Sequence, residues 1–445
     1  MNLKLRSVCV AVGLACSSMA AHADDLLQIY QQALTKDPVL LQAMANRDAA
    51  YEAIGQRRAS LLPQLNATLD YGNTFKNDSN PAAEIQSAGA TLRLSQSIYN
   101  HTNYVNLDLS KQSASRAELQ FQQTEQALIV RVSQAYFNVL SAQDNLDFVR
   151  ANKRAIDRQL EQTKQRFAVG LTAITNVHEA QAQYDLAVAN EISAENRLEN
   201  NFEALREITG LNHKRLNVLD TARFSPSAPT PANHEGWQAI AEESSLSLLI
   251  SRLAVEISKQ QINLAKTGHL PSVGLTANLG QSYDVENSWS SADSGNIGVQ
   301  VSVPLFSGFN VTSQVKQAQA NYVGAQQGME ESFRSVVRST RASLNNVNAG
   351  LSSIRAYEQS VVSAESALKA TEAGFEVGTR TIVEVLDSTR QLYSAKQQLA
   401  DARYNYIISS LTLKQAAGTL SEDDLAMINK GLRPATSADN DGDAK

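Results

Sequence analysis

Phe167-Ala-Val-Gly-Leu-Thr-Ala-Ile-Thr-Asn-Val177 returns further along the chain as Phe375-Glu-Val-Gly-Thr-Arg-Thr-Ile-Val-Glu-Val385. The two stretches begin at positions 167 and 375, a spacing of 208 residues. In both, a helical pattern runs into a Val-Gly turn and a second helical pattern leaves it, so Gly170 and Gly378 mark the tips of two helical hairpins. The flanks repeat as well: Pro63 with Pro271, Gly72 with Gly280 and Gly210 with Gly418 lie 208 apart, and Arg131 with Arg338 lies 207 apart. The chain therefore reads as one structural unit written twice.

Moving outward from the first tip, the stretch Tyr99 to Val169 contains neither glycine nor proline. A helix of about 70 residues would reach roughly 100 Å, far longer than a globular domain needs. A heptad runs through it, with Leu128, Ala135, Ala142, Val149 and Ile156 at one position and Val132, Val139, Leu146, Lys153 and Leu160 at the other. Only Lys153 interrupts the seam. The returning helix of the second half carries Val385, Leu392, Leu399, Tyr406 and Leu413, each followed three residues later by Ser388, Ala395, Ala402, Ser409 or Ala416. Large residues alternating with small ones let long helices pack closely, and these positions read as helix-packing core.

Upstream of each long helix the period changes from 3.6 to 2. In Leu65-Asn-Ala-Thr-Leu-Asp-Tyr71 the odd positions are apolar or aromatic and the even ones polar, and Thr91, Arg93 and Ser95 form the polar set of Ala90 to Ser95. The second half repeats the scheme. Val273, Leu275, Ala277 and Leu279 oppose Thr276 and Asn278, then Ile297, Val299, Val301 and Val303 oppose Gln300 and Ser302. Polar loops, Asn77 to Pro81 and Asp284 to Gly295, connect the strands, and Pro304 sits where pairing stops. Strands of about ten residues suit a tilted bilayer crossing, and Tyr71, Tyr99, Tyr283, Phe306 and Phe309 stand near their ends. A soluble sheet alternates in the same way; the loops, the terminal aromatics and an export leader favour membrane strands.

That leader is Lys4 and Arg6, an apolar run from Val8 to Leu14, and Ala21-His22-Ala23 as cleavage site, so the mature chain is expected to begin at Asp24. Cys9 and Cys16 leave with it, and Gly13 stands where a lipidation motif wants leucine at Cys16. A cysteine-free exported chain needs no disulfide. Loss of Lys4 and Arg6 takes the net charge from −6 to −8, which argues against nucleic acid as a partner.

These signals divide the chain into a signal peptide (1–23), a first repeat (24–213), a linker (214–232), a second repeat (233–430) and a polar tail (431–445) expected to carry no regular structure. Within the first repeat lie a hairpin at about 64–98, a long helix at 99–169 and a returning helix at 171–209; within the second, a hairpin at about 272–306, a long helix at 308–376 and a returning helix at 381–417. The fold class is a mixed α/β membrane protein with two-fold internal repeat. Four strands per chain cannot seal themselves in lipid, so copies must pool them. Two copies would give an eight-stranded barrel filled by side chains, and three a twelve-stranded barrel with room for a wet lumen.

Paired helix-strand-strand-helix halves, Val303-Pro-Leu-Phe-Ser-Gly308 entering the long helix, and Gly378-Thr-Arg-Thr-Ile-Val-Glu-Val-Leu-Asp387 make the chain resemble the outer-membrane efflux family along almost its whole mature length. The resemblance implies a homotrimer whose twelve-stranded outer-membrane barrel continues into a periplasmic α-helical coiled-coil barrel, with a belt built from linker and termini. It also implies partners: outer-membrane lipid, a periplasmic adaptor (membrane fusion) protein, and an inner-membrane efflux pump or ABC secretion transporter. The function expected is that of an exit duct for tripartite efflux and type I secretion, including multidrug export, opened at its periplasmic end.

By the same resemblance, polar links among Thr175, Asn176, Phe375 and Arg380 hold the periplasmic entrance closed, and Glu384 and Asp387 form an acidic cation-attracting ring. This chain departs from the family pattern, which has aspartate at the place of Asn176 and tyrosine at that of Phe375. A neutral acceptor at Asn176 would give Arg380 a hydrogen bond of about 0.5–1.5 kcal/mol where a charged one would give about 1.5–3, so a looser entrance is expected.

Catalysis has no support. His101, His178, His213, His234 and His269 are scattered, His178-Glu179 lacks the second histidine of a zinc helix, and no phosphate loop, nucleophile elbow or dinucleotide turn is present. No cofactor or metal is expected. A surface trimeric coiled-coil adhesin is the alternative with similar heptads, but such stalks place their strands at one chain end, whereas here each half holds its own hairpin between helices.

Overall fold

The structure, a computed structural model, describes residues 24–75, 84–284 and 290–435. The leader with both cysteines and the Asn77 to Pro81 loop lie outside the described residues.

Each half begins with two helices at a corner. Helix α1 (Leu26–Lys36) opens with a capping box in which Asp25 Oδ1 accepts from the Gln28 amide at 2.7 Å. Helix α2 (Pro38–Ala59) follows directly, because Asp37 both ends α1 and caps α2, with Pro38 in the first turn where its missing N–H costs nothing. The buried Asp37 Oδ2 accepts from the Leu40 amide at 2.8 Å and from Arg131 Nη2 at 2.6 Å, so one carboxylate turns the corner and ties it to the rod. The second half repeats the corner as α5 (His234–Ser244) and α6 (Leu246–Lys266), with Asn233 and Ser245 at the matching N-caps.

Between corner and rod run β1 (Gln64–Phe75) and β2 (Glu84–Asn100) in the first half, and β4 (Ser272–Asp284) and β5 (Ser290–Ser302) in the second; β3 is a two-residue strand, Val218–Leu219. The four long strands form one antiparallel sheet in the order β1-β2-β4-β5. Register sorts their faces by polarity. The rows Leu65–Leu94–Ala277–Ile297 and Ala67–Leu92–Leu279–Gly295 lie on one face, and Asn66–Arg93–Asn278–Asn296 and Thr68–Thr91–Gly280–Ser294 on the other. A bulge at Ile98 shifts the register of β2 against β4, which then continues through Tyr99–Val273 and Asn100–Ser272. On the apolar face Leu69 is 84 % and Ile297 77 % exposed, so the protomer offers that surface to something outside itself. Both outer strands, β1 and β5, keep one edge unpaired among the described residues.

Two boundaries differ from the sequence expectation. Ser290 to Gly295 belong to β5 rather than to a loop, held by pairs such as Gln281 Nε2 donating to Asp293 Oδ1 at 2.9 Å. Conversely, Val303 to Phe309 lie outside the strand, since Pro304 cannot donate to a ladder.

The rods are α3 (His101–Ala168) and α7 (Asn310–Glu376), of 68 and 67 residues, roughly 100 Å each. Returning helices α4 (Ile174–Thr209) and α8 (Ile382–Ala417) have 36 residues each and reach only to mid-rod. Each rod therefore packs on α2 or α6 over its upper half and on α4 or α8 over its lower half, and α3 also meets α6 and α8 of the other repeat. No helix among the described residues is long and apolar enough to cross a membrane. The heptad interruption at Lys153 is accommodated by an ion pair with Glu191 on α4, which Arg150 Nε also reaches at 3.2 Å.

At mid-rod the seams broaden into the main core. Leu26, Ile29 and Tyr30 of α1 meet Leu128, Val132, Tyr136 and Phe137 of α3, Leu205 of α4, and Tyr404 and Leu411 of α8. The tail expectation requires correction here. After α9 (Glu422–Asn429), residues Leu432–Arg433 form β6 and pair antiparallel with β3, and Leu432 is buried in the same core. Composition makes 431–445 look featureless, yet an apolar residue at 432 has a strand to pair with; positions 436–445 lie outside the described residues. The linker contributes β3, and its Ser227 carbonyl accepts from Tyr406 Oη at 2.6 Å.

Repeat symmetry breaks at one corner in a testable way. Gly210 and Gly418 both end their helices in the left-handed region, at φ 68° and 78°. A Cβ on Gly210 would meet open space, whereas one on Gly418 would lie 2.1 Å from the Ser244 carbonyl oxygen. Gly210→Ala should cost only the backbone strain of about 1–2 kcal/mol. Gly418→Ala should cost clearly more, because the α5–α6 corner must move, and thermal unfolding of the two variants side by side measures the difference.

Candidate functional site

Both hairpin tips close by the same backbone device. The Leu171 amide donates to the Arg166 carbonyl at 2.8 Å and Gly170 to Phe167 at 2.9 Å; the Thr379 amide donates to Gly374 at 2.8 Å and Gly378 to Phe375 at 3.1 Å. This paired closure needs a left-handed residue, which Gly170 and Gly378 supply at φ 76° and 79°. Val169, Leu171 and Val377 stand exposed at the extremities.

The α8 side of the second tip is the better capped. Thr381 is its N-cap, and Glu384 Oε2 accepts from the Thr381 amide at 2.7 Å and hydroxyl at 3.0 Å. Arg380 Nη1 donates to Glu384 Oε1 at 2.5 Å. The Thr381 amide above all, then Arg380 and the Thr381 hydroxyl, hold the Glu384 carboxyl down at about 2. A depressed carboxylate contributes its stabilisation above its ordinary range and loses it only as pH falls toward 2, so this cap stays charged through any mildly acid medium. Helix α4, by contrast, starts at Ile174 with Ala173 as an N-cap that offers no side-chain hydrogen bond.

Thr175, Asn176, Phe375, Arg380, Glu384 and Asp387 all lie in the turns beside these tips, and within the protomer Arg380 and Asn176 have other partners. Arg380 is committed to Glu384, and Asn176 Nδ2 donates to Thr172 Oγ1 at 2.7 Å, so the protomer does not form an Arg380–Asn176 hydrogen bond. Thr175 is exposed in the first turn of α4. Asp387 Oδ1 pairs with Arg390 Nη1 at 3.2 Å, and the same guanidinium reaches Gln183 Oε1 on α4 at 3.1 Å. Both acids of the expected ring thus carry a cation of their own. Sequence spacing could have signalled this, since Arg380–Glu384 and Asp387–Arg390 are i,i+4 and i,i+3 pairs.

Phe375 lacks a hydroxyl but is not idle. The Arg166 guanidinium carbon lies 4.4 Å from its ring centroid, joining the last turn of α3 to the last turn of α7, and beneath them Ile156, Ala187, Ile382 and Leu386 form a small buried cluster. The Arg166–Phe375 contact had no sequence signal, because it spans the two repeats.

A two-faced open sheet set on rods with closed, charged tips defines the class of protein: the protomer of an outer-membrane exit channel. The model of the family described as outer membrane efflux protein matches residues 29–211 and 238–419. The chain belongs to that family, which places it in the bacterial outer membrane as a channel and not an enzyme, and leaves the adhesin alternative without support. It is 49 % identical to outer membrane protein TolC of Vibrio cholerae over 97 % of this chain and 99 % of that one. Alkaline protease secretion protein AprF of Pseudomonas aeruginosa is 30 % identical over 92 % and 87 %. In fold it is similar to the Campylobacter jejuni CmeC outer membrane channel, with a TM-score of 0.75, 17 % identity, and coverage of 92 % of this chain and 90 % of that one.

An exposed cation–π contact contributes about 0.5–1 kcal/mol. Arg166→Gln is therefore expected to loosen the joined tips and raise single-channel current in planar bilayers. Arg166→Lys should fall between the two, and an unchanged current in Arg166→Gln would mean that the Arg166–Phe375 contact does not hold the tips together.

Proposed function

We propose that three copies of this chain close their sheets into one twelve-stranded barrel and their rods into one helical tunnel, forming a passive duct that exports cargo across the outer membrane. One observation carries the reading. The sheet ends in β1 on one side and β5 on the other, and antiparallel alternation along β1-β2-β4-β5 leaves β5 antiparallel to β1 of a following copy. Repetition continues the ladder without a break, and closure satisfies every edge group that lipid would leave unpartnered. Twelve strands leave room for water against the Asn66–Arg93–Asn278–Asn296 face, while the apolar face meets lipid. Internal symmetry supports the same closure below the membrane. Because α3 takes α6 and α8 of the second repeat, α7 would take α2 and α4 of the next copy.

At the lower end, Thr175, Asn176, Phe375 and Arg380, with Arg166, make the closed entrance. Exposed Val169, Leu171 and Val377 offer the apolar tips that a periplasmic adaptor would grip before an inner-membrane pump or ABC transporter delivers cargo. The secretion role named for AprF and the efflux role of the family are alternative loads for one duct. A wide polar lumen reads no single substrate, so cargo choice rests with the transporter.

Purified protein should run as a trimer in mild detergent and conduct in planar bilayers, and a silent monomer would end this reading. The variant Asn176→Asp/Phe375→Tyr should conduct less than the unmodified protein; equal or greater conductance would show that the entrance here is not the looser one.

Six carboxylates from Glu384 and Asp387 would ring the aperture, each beside an arginine. Trivalent cations added on the periplasmic side should block weakly, and Glu384→Gln/Asp387→Asn should abolish block. Arg390→Gln should deepen it by unmasking Asp387, and block unaffected by Arg390→Gln would mean that the arginine does not screen the ring.

A further inference from the structure

Where α3 crosses α8 at mid-rod, two hydrogen bonds join the repeats at matching i,i+3 positions. Ser141 Oγ donates to Asp401 Oδ1 and Tyr404 Oη donates to Asp144 Oδ2, both at 2.6 Å. The Tyr404 ring stacks on Phe137 at 5.6 Å, which fixes the hydroxyl over Asp144. Asp144 lies on the wall of a cavity of about 210 Å³ whose lining includes Gln143, Asp147, Lys214, Arg215 and Arg433.

The charges around it are mixed. On α3, Asp147 accepts from Gln143 Nε2 at 3.2 Å; on α8, Asp401 and Arg403 flank Tyr404; on α7, Glu358 accepts from Arg403 Nη2 at 3.4 Å; Lys214 and Arg215 follow α4, and Arg433 lies in β6. Three carboxylates, Asp144, Asp147 and Asp401, thus converge on one helix crossing that the entrance and acid-ring roles do not use.

We propose that this crossing is a proton-controlled clamp: with Asp144 protonated α8 is held against α3, and with Asp144 ionised the crossing loosens and α8 is freer to swing outward. The inference rests on the exit-duct reading: α8 runs from the second tip up to this crossing, so a weaker hold on α3 lets that tip move. Burial chiefly, with Asp147 and Asp401, raises the Asp144 carboxyl from its ordinary 3.8 to about 6, against the opposing hydrogen bond from Tyr404 and charge of Arg403. Burial and Asp144 push the Tyr404 hydroxyl well above its ordinary range, so it remains a donor throughout. A carboxyl raised by packing stabilises the packed crossing fully below its ordinary value and loses that stabilisation as pH rises through about 6. The span from 3.8 to about 6 limits the effect on the displaced-to-packed ratio to about 100-fold.

The test is open probability of the full-length trimer in planar bilayers between pH 4.5 and pH 8. Open probability should rise several-fold with a midpoint near pH 6, and the rise should persist in Glu384→Gln/Asp387→Asn, which removes titration at the entrance. Asp144→Asn should flatten the profile at the acid-side level. Should that variant fail to assemble, two others carry the test. Asp401→Asn removes a neighbouring charge and should move the midpoint down; Tyr404→Phe removes the donor that favours the ionised form and should move it up. A profile unchanged by these substitutions, lost with the entrance acids, or flat in the unmodified protein overturns the clamp while leaving the duct intact. A trimer that never conducts refutes the duct instead.

Discussion

Two rows of backbone along the outer edges of β1 and β5, unpaired within the protomer among the described residues, set the terms for the rest of this molecule. In water such edges cost little because solvent satisfies them; in hydrocarbon each orphan N–H or C=O costs several kcal/mol. A sheet that sorts Leu65, Leu94, Ala277 and Ile297 onto one face and Asn66, Arg93, Asn278 and Asn296 onto the other can enter a bilayer only when those edges meet. Chain duplication serves that end economically, since one hairpin from each of two repeats supplies four strands whose alternation would continue into a next copy.

The rods pose the opposite problem. A 68-residue helix buries only a narrow seam along most of its length, and small residues such as Ala135, Ala142, Ala395 and Ala402 bring helices close without providing bulk. Bulk is concentrated at mid-rod, where Tyr136, Phe137 and Tyr404 pack together with α1, the linker and β6. Tying both ends of the described residues and both repeats at one level leaves the lower half, from there to the tips, held mainly by seams and exposed ion pairs. Exposed ion pairs stabilise weakly because water screens them. In the duct proposed above, an entrance built from such pairs would need only the modest energy of a docking partner to open.

Much of the architecture is legible in the sequence. The 208-residue repeat, the glycines at 170 and 378, the period-2 stretches and the seventy-residue span free of glycine and proline are local statements, and each follows from backbone preference or side-chain periodicity. Leu432 was not legible, because a two-residue strand has no period to detect and exists only where Val218 and Leu219 wait to pair with it. Nor was the partner of Arg380. Glu384 stands at i+4, yet only the geometry of the capped turn shows that within the protomer Arg380 pairs with it.

The sequence by itself determined the elements, their duplication and the two-faced character of the strands, because these depend on residues near one another along the chain. Tertiary structure alone decided that Arg166 sits over Phe375 and that Ser141 and Tyr404 bridge the repeats. Those are distances between residues that a hundred or more positions separate, and no local preference carries that information until packing brings the helices and strands together.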